Sequence, residues 1–137
     1  MPTVDFYKNL GYDFYQYEDK EELRGLTPGG FNGGDAPLNV KDFNDLELKA
    51  ARDMIACYLR PIERINTSST SHELGLLIES ALDIATRGAI NYVSNGTLIL
   101  AMYDAEFRIK RLKDGSPICY FNVSKKSINN LKKHVNR

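Results

Sequence analysis

From Ser94 to Val123 a capped apolar segment runs straight into a charged stretch broken by Asp114-Gly115. Ser94 and Asn95 are both good helix caps, and Leu98, Ala101, Met102 and Ala105 recur on one helical face. Tyr92, Thr97, Leu100 and Tyr103 are then expected on the outer side. Phe107 opens a strand that alternates through Leu112. Arg108 and Lys110 fall on one face, and Phe107, Ile109 and Arg111 on the other. Asp114-Gly115 is a strong hairpin signal, so Ile118–Val123 reads as the return strand. A helix that feeds a basic two-stranded ribbon is the second half of a winged helix-turn-helix, a fold that often grips nucleic acid.

The preceding residues supply the helices such a domain needs. A first helix is expected over about Asn44–Arg60, with Asp42, Asn44 and Asp45 as cap candidates. Leu48, Ala51, Ile55, Tyr58 and Leu59 lie on one face. Pro61 ends it, because proline lacks a donor and biases its predecessor away from helix. Glu63 and Arg64 then lead into a polar run. Thr70 and Glu73 have capping-box spacing, and Leu74, Leu77, Ile78, Ala81, Leu82 and Ala85 mark a second helix over Ser71–Thr86. After the hairpin, Ser124 caps a basic helix with Ile128, Leu131 and Val135 inward and four lysines outward. The expected fold is mostly α with a small β-hairpin: a winged helix-turn-helix-like domain over 41–137, preceded by an irregular arm.

That arm, residues 1–40, reads differently. Phe6, Tyr7, Tyr12, Phe14, Tyr15 and Tyr17 crowd its first half, and acids follow. The stretch Leu26–Pro37 holds Pro28, Gly29, Gly30, Gly33, Gly34 and Pro37. Ordering glycine pairs is entropically costly, so this part reads as a linker or extended strap. The aromatics either pack back on the domain or form a docking arm, since tyrosine buries a large area while keeping a polar tip.

The chemistry-bearing residues are sparse. Net charge is zero, yet residues 1–49 hold ten acids against five bases, whereas 105–137 hold nine bases against two acids. Such asymmetry points to a polyanion-binding end or to two ends that meet in self-association. Cys57 and Cys119 are expected as free, buried thiols. His72 and His134 carry no metal-ligand or catalytic spacing, and no HExxH, paired CxxC, phosphate loop or GxSxG occurs. A non-catalytic protein without metal or cofactor is expected. No apolar run has membrane-spanning length and no leader pattern opens the chain, so a cytoplasmic protein is expected.

Three strings, INTSSTSHELGLLIESAL, YVSNGTLILAMYDAEF and CYFNVSKKSI, resemble a pattern in small uncharacterised proteins of bacteriophages and mobile elements. The resemblance covers roughly Ile65–Ile128. It implies a winged-helix-like fold in a phage or mobile-element setting, with the host cytoplasm or a virion as the location. Members of that family often carry glycine at the position of Glu106, where the helix must end in a left-handed turn.

Two function classes follow. In the first, the chain binds duplex DNA, with regulatory or architectural purpose. The helix after the turn would present Ser94, Asn95 and Thr97 to base edges, Asn95 being suited to adenine. Arg108, Lys110, Arg111, Lys113, Lys125 and Lys126 would take phosphates. In the second it is a protein-interaction module, such as an inhibitor of a host defence nuclease or a virion or assembly component. There Phe6, Tyr7, Tyr12, Phe14, Tyr15 and Tyr17 would hold a host or phage protein. A homodimer through the first helix or the arm is compatible with both.

Overall fold

The computed structural model describes residues 3–136; Met1, Pro2 and Arg137, the last of the nine C-terminal bases, lie outside it. In chain order the elements are helix α1 (Val4–Lys8), the short hairpin β1 (Leu26–Thr27) and β2 (Gly30–Phe31), helix α2 (Asp45–Tyr58) and strand β3 (Pro61–Asn66). Helices α3 (Ser71–Thr86) and α4 (Asn95–Asp104), strands β4 (Ile109–Arg111) and β5 (Cys119–Val123) and helix α5 (Lys125–Val135) complete it. Single 3-10 turns at Tyr15–Tyr17, Glu21–Leu23 and Val40–Asp42 carry the arm between them. The fold is mostly helical with small sheets, as expected. Among the described residues no helix is long and apolar enough to cross a membrane.

The caps lie where the sequence puts them. Asn44 accepts from the Glu47 amide, Ser94 from Thr97 and Ser124 from Ser127, and Thr70 and Glu73 form the reciprocal capping box. Helix α4 ends in a Schellman motif. Glu106 sits at φ 71, the Phe107 amide donates to Met102 O at 3.1 Å and the Glu106 amide to Tyr103 O at 3.0 Å. A glutamate thus occupies a left-handed position, at a steric cost that glycine would not carry.

One strand was not foreseen. β3 adds to the hairpin, giving the antiparallel order β3-β5-β4. It pairs at its two ends, Pro61 with Val123 and Asn66 with Phe121, and the register shifts between them. The bulged middle is held by side chains: buried Asn122 donates from Nδ2 to Ile62 O at 2.7 Å, and Arg108 Nη2 donates to Glu63 O. Asn122 Oδ1 meanwhile accepts the Arg108 amide at 2.6 Å. A single amide on β5 therefore links β3 to the residue that leads into β4. The strand escapes periodicity because it starts on proline, lies on the sheet edge and has no buried side chain.

One hydrophobic cluster spans the expected division at residue 40, with the arm packed back on the domain. Tyr7, Phe14, Leu23, Leu26, Phe31, Leu38 and Val40 join α2, α3, α4 and the sheet in one hydrophobic cluster. The glycine-rich stretch is a folded strap, neither a linker nor extended. Its amides find fixed partners, Gly25 N–H on Ala36 O at 2.7 Å and Gly33 N–H on Gly25 O at 2.8 Å. Helix α4 is buried from Gly96 to Met102 without interruption, so Thr97 and Leu100, expected on an outer side, are in the core. A helix apolar on all sides needs cover on all sides; the strap supplies what α2, α3 and the sheet leave open.

Candidate functional site

The start of α4 is a junction of four chain segments. Ser94 caps it and also donates its hydroxyl to Thr97 Oγ1 at 2.7 Å. Asn95 Nδ2 donates to Gly29 O and to Pro117 O, both at 3.1 Å, and Asn95 Oδ1 accepts from Ser71 Oγ at 2.6 Å. Ser71 Oγ in turn accepts the Cys119 amide at 3.1 Å. The strap, the start of α3 and the β4–β5 turn are all tied to one asparagine. The Gly96 amide donates to Pro28 O at 2.8 Å and the Phe31 amide to Pro117 O at 3.0 Å. Such closeness requires glycine on both sides. A Cβ on Gly96 would overlap Thr27 O, and one on Gly30, at φ +120, would overlap Asn95 Nδ2 and Pro117 O.

Thr97 therefore does not lie open to base edges, and Ser94 and Asn95, half-buried at the rim of a surface depression, have their side chains engaged within the fold. Thr97 is 1% exposed, and the Asn95 amide group is spent on the strap, the hairpin and α3. The cations of the hairpin divide in two. Arg111 stacks on Phe31, its Cζ 4.1 Å from the ring centroid, and donates to Arg24 O at 3.1 Å; Arg108 is tied to β3. Lys110, Lys113, Lys125 and Lys126 are exposed. The three ion pairs among the described residues are Arg24–Glu21, Lys49–Asp45 and Arg52–Asp104. None uses a base from beyond residue 104, so the acidic and basic ends do not neutralise each other through ion pairs within the described fold.

The six arm aromatics are not one surface. Tyr7 and Phe14 are core residues, and burial, then the charge of Asp53, pushes the Tyr7 phenol up to about 12. Tyr12 lies half-buried against the Arg52 guanidinium, 4.8 Å from its centroid. Tyr17 donates to Asp104 Oδ1 at 2.5 Å, while Arg52 Nε takes Asp104 Oδ2 at 2.6 Å. Burial and that carboxylate both raise the Tyr17 phenol. Phe6 and Tyr15 alone are broadly exposed, at 47% and 53%. Tyr7, Tyr12, Phe14 and Tyr17 thus seat the arm, with Tyr103 OH also donating to Glu22 at 2.5 Å.

Cys119 is buried, but Cys57 is exposed, against the expectation of two core thiols. Burial raises the Cys119 thiol to about 12. His134 is no free surface residue: it is half-buried, 4.8 Å from the Tyr58 ring and sharing a 3.0 Å hydrogen bond with its hydroxyl. Among the described residues no group of His, Cys, Asp and Glu could hold a metal ion. Comparisons with protein-family models, curated proteins and solved structures find no match.

Proposed function

We propose that the chain is a winged-helix-type domain, an accessory factor of a phage or mobile element, that binds duplex DNA by its phosphates. What supports this fold reading is the order α2-β3-α3-α4-β4-β5 with β5 central in the sheet, the order a winged helix would have. The binding surface is the β4–β5 ribbon with α5, through Lys110, Lys113, Lys125 and Lys126. The observation that carries this reading is that these lysines are exposed and outside the ion pairs, while α5 contains no acid at all. Helix α4, with no Lys or Arg and its start sealed, acts as a strut, so contacts to phosphate oxygens position the duplex without reading bases.

The test is an electrophoretic shift with random-sequence duplex DNA at low and at moderate salt. Retardation at low salt that fades as salt rises is expected; no retardation at low salt would remove the reading. A second reading, a protein-interaction module, is favoured by exposed Leu76 and Tyr92, at 52% and 59%. It moves from the arm, which is largely core, to the outer side of α3.

A further inference from the structure

Three shallow depressions run together around Tyr92. One lies between the start of α2 and the α3–α4 loop, with Leu46 and Glu47 in its wall. The next reaches along α3 past Leu76 and Glu79, and the third continues to Glu79, Ser80 and Asp83. Tyr92 belongs to the first two, Glu79 to the last two, so they form one groove. Its apolar anchors, Leu76 and Tyr92, are exposed at 52% and 59% and line the same depression, where adjoining exposed apolar groups mark an interaction site. Ile84, two turns beyond Leu76 on the same face of α3, is 49% exposed and extends the stripe.

The charge of the groove is one-sided. None of the residues lining these three depressions is Lys or Arg, and α3 itself contains neither; Lys132 of α5 enters only in a further depression on the far side of Leu76 and Ser80. Glu47, Glu79 and Asp83 take part in none of the ion pairs among the described residues. Burial, and then the charge of Glu79, raises Glu47, and both border Tyr92, in adjoining depressions. Carboxylates interspersed with an exposed tyrosine and leucine complement a chain that alternates positive and apolar groups.

We infer that the groove between α2 and α3, centred on Tyr92, docks a cationic segment of a partner protein, in which Lys or Arg flank an apolar or aromatic side chain. The apolar side chain packs on Tyr92 and Leu76, and a guanidinium or ammonium bridges Glu47 and Glu79. Lys110, Lys113, Lys125 and Lys126 line none of the three depressions, so peptide docking and DNA binding are separately testable.

The experiment is selection of random short peptides displayed on a library against the full-length chain, with counter-selection on Tyr92→Ser/Glu79→Gln protein. These side chains lie at the surface, and an unchanged thermal melt confirms that the variant folds. Recovered peptides should carry Lys or Arg around Leu, Phe, Tyr or Trp. Each single substitution should weaken them roughly tenfold, the loss of an ordinary interface anchor, whereas Lys125→Gln should leave them unchanged. Enrichment of acidic or neutral peptides, equal affinity for the variants, or no enrichment would overturn the inference. So would a self-association of the chain alone that Tyr92→Ser dissolves, because a second copy would then be the occupant.

Discussion

Gly96→Ala probes the strap most directly. The added methyl group would overlap Thr27 O and come within 2.8 Å of both the Pro28 carbonyl carbon and oxygen. All three are backbone atoms, so no side chain can turn aside, and the strap must retreat from α4. Its retreat breaks Gly96 N–H···Pro28 O and Asn95 Nδ2···Gly29 O, about 1 kcal/mol each. It also partly uncovers Leu26 and Phe31, now 3% exposed, for roughly another 1–2 kcal/mol. Alanine's helix preference over glycine offsets up to about 1 kcal/mol. The net expectation is a loss of about 2–3 kcal/mol, read by urea denaturation under far-UV circular dichroism. Gly75→Ala is the internal control. Its Cβ would meet nothing closer than Leu98 at 3.8 Å, so the same chemical change should stabilise by about 0.5–1 kcal/mol. Hydrogen exchange adds a local readout, since the Phe31 amide should lose protection in Gly96→Ala alone. Equal stability of Gly96→Ala and wild type, with Phe31 still protected, would refute the sealed junction.

Four further outcomes follow from the geometry. Asp104→Ala leaves both Arg52 and the Tyr17 hydroxyl without their partner, in a pair whose side chains are 19% and 9% exposed. It should cost about 3 kcal/mol in chemical denaturation, and Asp104→Asn, which keeps an acceptor for Tyr17, about half that. Glu106→Gly relieves the left-handed residue after α4 and should raise stability by about 0.5–1 kcal/mol in thermal melts; a loss would show that the Glu106 side chain holds the corner. A thiol reagent should modify Cys57 alone in the native protein and Cys119 only on unfolding, with a site-resolved mass spectrum as the check. Native folding holds the Cys119 thiol and the Tyr7 and Tyr103 phenols at about 12, against ordinary values of 9.0, 10.0 and 10.0. All three are raised, so the stability they contribute is complete below pH 9 and declines as pH climbs toward 12. Unfolding curves flat across that window would contradict it.

The parts legible in the sequence are those dictated by neighbours along the chain. The Thr70–Glu73 capping box, the Ser94 and Ser124 caps and Pro61 after α2 each depend on a few adjacent residues, and each appears where its residues predict, whereas Asp114-Gly115 falls inside a longer connection between Arg111 and Cys119. The strap was misread because its order comes from distant partners. Gly30 and Gly96 are glycines so that two backbones can touch across 66 positions, and a composition rule sees only two flexible residues. The same distance hides Asn95. A serine-asparagine-glycine helix start looks like an open cap, and only the folded chain shows Pro28, Gly29 and Pro117 closing over it. β3 was missed for want of any buried side chain to set a period. The groove around Tyr92 leaves a fainter mark in the sequence: α3 carries Leu76 and Ile84 off its apolar face and has no base to balance Glu73, Glu79 and Asp83.

The salt dependence of DNA binding reports on the lysine–phosphate contacts themselves. Affinity for random duplex DNA should fall linearly on a log–log plot against salt, by about 0.9 per phosphate neutralised. Four lysine–phosphate contacts predict a slope near −3.6, so roughly a hundredfold loss for a fourfold rise in salt. Replacing Lys110, Lys113, Lys125 and Lys126 by Gln should flatten that slope and abolish retardation at moderate salt. Thr97→Val, deep under the strap, should change neither slope nor affinity. No binding at low salt, or a Lys-to-Gln protein that binds like wild type, would contradict the account.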